Sequence, residues 1–271
     1  MTASISAPAR AAGRTRGDRF AGLGPLFRKE LGEWVHSKRV WVILAVTTLF
    51  MALTAANAAI NSWVVTNIPG AEVPDGAISL DPATNFLLAI STQFFIFVAI
   101  FAVMGLLIVE RDRGTLAWVA SKPVSRGAIW QSKWAAAVVV VTIATGIVPM
   151  AATFGLVTVL YGAAGIESFV FAAIGAAGLI ALMIAVVLAV STVISNQAAV
   201  AAIGFAVLFL PQLLAGVLPF DVTPFLPTSI LAWAMAPVVG ADAGFVTPIA
   251  WAVSIVALIG LASWRMDRIE L

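Results

Sequence analysis

Residues 86–109 read FLLAISTQFFIFVAIFAVMGLLIV, and the chain continues through 110–134 as ERDRGTLAWVASKPVSRGAIWQSKW. The first stretch carries no charge and is longer than the roughly 20 residues that a helix, rising about 1.5 Å per residue, needs to cross a hydrocarbon layer about 30 Å thick. The second opens on alternating acids and bases. The chain therefore passes from an apolar phase into water between Val109 and Arg113.

Working outward, five more uncharged runs of comparable length occur at about 40–60, 135–160, 169–194, 198–218 and 245–264. The whole chain of 271 residues is 62% hydrophobic and 10% charged, where soluble domains use roughly 45–50% apolar and 25% charged residues. The fold class this predicts is an all-α integral membrane protein with six transmembrane helices.

Charge placement orients it. Arg10, Arg14, Arg16, Arg19, Arg28, Lys29, Lys38 and Arg39 precede the first run. Arg111, Arg113, Lys122, Arg126 and Lys133 lie between the second and third, and Arg265 and Arg268 follow the last. These are all fifteen basic residues of the chain. The alternate loops hold only acids: Glu72, Asp75, Asp81, Glu167, Asp221 and Asp242. Cytoplasmic loops are the ones enriched in Lys and Arg, so both termini are expected in the cytoplasm. The basic balance then describes a surface facing anionic lipid, not a nucleic-acid footprint.

Several chemistries are excluded. There are no cysteines, so no disulfide framework, thiolate metal site or thiol nucleophile exists. The six runs carry no ionisable relay of the kind that ion-coupled carriers use, and the one histidine, His36, lies in a basic segment before the first run. No G-x-x-x-x-G-K-[ST] phosphate loop occurs, so any nucleotide hydrolysis belongs to another chain. No catalytic residue, metal ligand or cofactor is assigned to this one.

Outside the runs, residues 1–24 are rich in Ala, Gly, Ser and Arg and read as a disordered cytoplasmic tail. Residues 25–39, PLFRKELGEWVHSKR, place Phe27, Leu31, Trp34 and Val35 on one helical face and Arg28, Lys29 and Glu33 elsewhere, which predicts an amphipathic helix lying at the interface. Residues 61–85, with Pro69, Gly70, Pro74, Gly76 and Pro82, predict an outer loop. Residues 228–236 are apolar but too short to span and are bracketed by Pro227 and Pro237, which predicts a re-entrant or interfacial helix between the fifth and sixth spans. Small-residue stripes at Ala177, Ala181, Ala185 and at Ala198, Ala202, Ala206 predict close helix contacts.

The stretch at 105–134 resembles the inner loop of ABC-2 type permeases, in which the second helix ends on an acid followed by G-T, then P-x-S-R, then a base at the start of helix three. Glu110, Gly114, Thr115, Pro123, Ser125, Arg126 and Lys133 stand at those positions, and Arg28, Lys29, Glu30 and Leu31 supply an R-K-E-L sequence on the interfacial helix. Trp118 and Trp130 depart from the aliphatic residues usual there. The resemblance covers nearly the whole chain, with 25–271 as the transmembrane domain.

It implies the permease subunit of an ATP-driven exporter in a prokaryotic plasma membrane. Separate ATPase subunits would bind ATP and magnesium, and a second permease copy or paralogue, more readily a homodimer, would complete the pathway for an amphipathic or lipid-like cargo. The inner loop would be the coupling contact. A short helix from about Asp112 to Ala120 would dock Leu116 and Val119 on the ATPase, with Arg113 and Arg126 setting its register and either of them pairing with Glu110. Gly114 would allow the exit from helix two, Pro123 would fix the turn back, and Ser125 would cap helix three. The rival readings are a membrane scaffold or assembly factor recruiting a cytoplasmic protein, and a secondary transporter.

Overall fold

The computed structural model describes residues 20–72, 81–91, 93–163, 165–214, 223–236 and 241–268. Among them there is no strand, and six helical segments are long and apolar enough to cross a membrane: Lys38–Asn67, Pro82–Asp112, Arg126–Tyr161, Ile166–Ser191, Gln197–Leu214 and Val246–Met266. The first 19 residues of the expected tail, residues 73–80 of the expected outer loop and 215–218 of the fifth run lie outside the described residues.

A short helix, α1 (Leu23–Val35), precedes the first span, α2 (Lys38–Asn67). Helix therefore begins inside the segment read as a tail. At the other end, α2 runs through 61–67, which the proline spacing assigned to the loop. Apolar Trp63, Val64 and Val65 carry the helix on, Thr66 Oγ1 and Asn67 Nδ2 donate back to the Ser62 and Trp63 carbonyls, and the chain turns only at Pro69 and Gly70.

The second span is jointed, with α3 (Pro82–Ser91), α4 (Phe94–Val103) and α5 (Leu106–Asp112) in succession. Gln93 starts α4 with φ 53°, a left-handed conformation uncommon outside glycine, and its Oε1 accepts a 3.2 Å bond from Gln212 Nε2. After α6 (Thr115–Ala120), the third span comprises α7 (Arg126–Val141), a π-helical turn at Thr142–Ile147 and α8 (Val148–Tyr161). Pro149 explains that wider turn: it has no N–H, and in an unbroken α-helix its ring would strike the carbonyl four residues earlier, at Thr145.

The central element is α9 (Ile166–Ser191), which packs against α4, α7, α10 (Gln197–Leu214), α11 (Pro227–Met235) and α12 (Val246–Met266). Leu179, Ile180, Met183, Ile184, Val187 and Leu188 of α9 are all buried, forming the core around which the other spans are arranged. Two glycines let neighbours close in. A Cβ on Gly175 would stand 2.5 Å from that of Ala234 on α11, and one on Gly178 would overlap the ring of Trp251 on α12.

The short helix expected before the last span is α11, opened by Pro227 and buried through Ile230, Leu231 and Ala234. The stripe Ala198, Ala202, Ala206 does not pack within the chain. All three are exposed, and α10 turns Val200, Ala201, Gly204 and Leu208 inward instead.

Candidate functional site

At the basic end of the bundle Lys133 is 2% exposed, although the sequence placed it outside the third apolar run. The span begins earlier than that run, because Ser125 accepts the Ala128 N–H at 3.1 Å and caps α7 at Arg126, two turns before Lys133. The Lys133 ammonium donates 2.6 Å to Glu110 Oε1 at the end of α5 and 2.9 Å to Glu30 Oε1 on α1. Glu110 thus pairs with Lys133, not with Arg113 or Arg126. Both arginines are close in sequence, but Lys133 is carried to Glu110 by packing of the second and third spans. The absence of ionisable groups holds for the apolar runs; the second and third spans extend past them and bring half-buried Glu110 and buried Lys133 together with the buried Glu30 of α1.

Three ammonium hydrogens let one lysine serve two carboxylates at once. A second base balances the cluster: Lys29 Nζ lies 3.4 Å from Glu30 Oε1 and 3.0 Å from Glu33 Oε1. Partial burial would lower the affinity of Lys29 for its proton. The hydrogen bond to Glu33 and the charges of Glu30, Glu33 and Glu110 outweigh that, and they raise its pKa above the ordinary lysine value.

Glu30 also redefines α1. The helix is amphipathic, but it turns Glu30 and Trp34 into the protein, with Phe27 and Leu31 half-buried beside them, while Arg28, Lys29 and Val35 are exposed. It lies along α7. Its start is fastened to the inner loop: the Ser125 N–H donates 3.1 Å to the Ala21 carbonyl, and Gly22, with φ 83°, sits where a side chain would collide with Val124.

Between α5 and α7 the chain bends at Gly114, whose φ of 70° suits glycine, and enters α6. This helix starts at Thr115, not Asp112, and the Thr115 hydroxyl donates 3.1 Å to the Glu110 carbonyl. Leu116 is 3% exposed and shares a small cleft with Leu107, Arg111, Ser191, Thr192 and Met266. It faces the ends of α5, α9 and α12, so its side chain is turned into the bundle and not outward as a docking contact would be. Val119 is half-buried against the core. The residue that protrudes is Trp118, 63% exposed, with Lys122 Nζ 3.7 Å over its ring. Past Pro123, which is exposed, the chain turns into α7.

Sequence reasoning missed the Glu30–Lys133 contact because 103 residues separate the partners. The usable signal was an acid on the buried face of an amphipathic helix, at the position one turn before Trp34. Among the described residues no three His, Asp or Glu side chains gather as a metal site.

A helix that ends on an acid, a glycine bend, a short protruding helix and a proline turn into a capped span form the arrangement anticipated from 105–134. Residues 25–258 match the family described as ABC-2 family transporter protein. This chain belongs to that family. The ABC-2 chain is thus a multi-pass membrane protein and a permease of an ABC transporter, its membrane transport component. Permeases of this family generally work with an ABC ATPase partner. No curated protein matches the ABC-2 chain described here.

Proposed function

We propose that this permease is the membrane half of an ATP-driven exporter, and that a separate ATPase subunit binds ATP and magnesium and docks on α6 and its flanks. The observation that carries the reading is Trp118: a large aromatic exposed on a helix whose other face is pinned inward by Leu116. Exposed aromatics ringed by polar groups are characteristic interface anchors, and Ser121 and Lys122, both exposed, adjoin this one. Gly114 and Pro123 bound the docking segment, while Glu110, Thr115, Ser125 and Arg126 join it to the spans.

In this reading the basic end is cytoplasmic, and the cell is a prokaryote with the permease in its plasma membrane. A second permease copy completes the pathway, and ATP-driven closure of the ATPases rocks the two halves to release an amphipathic or lipid-like cargo outside. The short α11, packed on α9 and α12 within the bundle, dips into the membrane and returns.

Affinity purification from native membranes tests the docking. The permease should bring down a separate chain with vanadate-sensitive ATPase activity, and Trp118→Asp should lose that chain while remaining inserted and folded. Full retention of the ATPase by Trp118→Asp, or ATP turnover by the permease alone, would overturn the assignment.

A further inference from the structure

A well-packed apolar plug of similar volume often matches or exceeds the stability that a lysine buried between two carboxylates gives a protein. The cluster of Glu30, Lys133 and Glu110 therefore calls for another reason. Its members stand on α1, α7 and α5, and Lys133 is the point where the three elements meet. From Glu110 the chain leads at once, through Gly114, into α6. From Lys133 it leads up the third span into the π-helical turn at Thr142–Ile147.

That turn interrupts the α-helical ladder of the third span. A π-helical turn contains one residue more than the ladder needs, and such turns occur frequently at functional sites. Thr142 Oγ1 is buried there without a partner, and Thr47 Oγ1 is likewise unpartnered on α2, which packs against the turn. Two buried hydroxyls without partners are polar groups for which this conformation makes no provision.

We infer that Lys133 is a positioning residue for energy coupling: it clamps α1 and α5 to α7, so that a push on α6 moves all three as one body and is delivered to the π-helical turn of the third span. The inference rests on the proposed docking of an ATPase at α6. Charge is what suits the task. Two short, charge-assisted bonds hold two helices to one side chain with a directionality that dispersion contacts lack. An apolar plug would fill the same space and let α5 slide past α7.

The test is hydrogen–deuterium exchange on the complete complex of permease and ATPase in lipid nanodiscs, with and without ATP plus vanadate. In the natural sequence, peptides covering α6 become protected by the ATPase, and peptides covering Thr142–Ile147 and α8 change exchange rate about 5-fold or more on trapping, the lower end of ordinary allosteric couplings. The deciding variant is the neutral triple Glu30→Gln, Lys133→Met, Glu110→Gln, which keeps the packing and removes the charges. It should bind the ATPase and protect α6 as before, yet show no response in the third span.

A triple variant with the full third-span response overturns the inference, as does one that loses the ATPase, since the cluster would then serve docking alone. A natural complex that protects α6 without any third-span change also overturns it. Absence of α6 protection in the natural complex strikes instead at the functional reading, and the inference falls with it. If the triple variant does not fold, Glu110→Asp decides: it keeps the charge and withdraws the carboxylate by one methylene. Loss of the third-span response with ATPase binding intact supports the clamp, and a full response overturns it.

Discussion

Gly175 and Ala234 face each other so closely that a Cβ on the glycine would stand 2.5 Å from that of the alanine, with the Ile230 carbonyl 3.4 Å away. Neither neighbour is a flexible tip that could swing aside. Valine at 175 must push α11 off α9, and overpacking of a close contact costs about 1–3 kcal/mol. Gly175→Val should lower the midpoint of thermal unfolding in detergent, followed by tryptophan fluorescence. Trp233 is a built-in reporter, because its ring lies 5.3 Å from that of Phe171 on α9. An unchanged midpoint would mean that α11 is not seated on α9.

Removing Lys133 alone leaves two carboxylates facing each other, one of them almost wholly buried. Breaking a buried ion cluster by deleting one partner costs about 3–5 kcal/mol, whereas replacing all its members by neutral groups is often tolerated. Lys133→Met should therefore unfold at markedly lower denaturant than the triple neutral variant, although the triple carries more substitutions. The reverse order would show that the charges are not coupled.

Orientation can be read by thiol labelling without removing any native residue, since the chain has no cysteine. Ser121 lies beside α6 and Ala163 just beyond α8, and both are exposed. In intact cells an impermeant maleimide should label Ala163→Cys readily and Ser121→Cys only after the membrane is opened. Labelling of Ser121→Cys in sealed cells would reverse the topology argued from the fifteen basic residues.

Asp81 holds the start of the second span. Its Oδ2 accepts 2.6 Å from the Thr84 hydroxyl and 2.7 Å from the Thr84 N–H, and these bonds, the hydroxyl first, lower its pKa below the ordinary value of 3.8. A carboxylate with a depressed folded-state pKa adds stability at every pH above its unfolded value and loses it as pH falls through the folded one. Thr84→Val keeps the shape and removes the hydroxyl. Its melting temperature should trail that of the natural chain at pH 7, and the gap should close as pH is lowered below 3.8. A gap independent of pH would assign the effect to packing.

The six spans were legible because the membrane imposes a length and an apolarity on every crossing, and residues 86–109 meet both without ambiguity. Ser125 as a cap and Gly114 as a bend were legible for a similar reason, since each is a local backbone requirement. What escaped depends on residues far apart. The partner of Glu110 was sought among neighbouring arginines, while the second and third spans bring Lys133 beside it and α1 adds Glu30 from the far end of the chain. The faces of α6 escaped because six residues hold fewer than two helical turns, too few for periodicity to separate buried Leu116 from exposed Trp118. The π-helical turn depends on Pro149, whose effect on the ladder is not visible in the apolarity of the 135–160 run.

The position of Glu30 also bears on how the protein is made. It leaves the ribosome 103 residues ahead of Lys133, and Glu110 emerges 23 residues ahead. Both anions are therefore in place before the cation arrives, and the third span can bring its lysine into the lipid boundary already matched. A nascent chain that lacks α1 meets its difficulty only there, two crossings downstream of the missing segment. The defect would surface as an unsettled third span, open to the proteases that police membrane assembly, and not as a failure of the first span to insert.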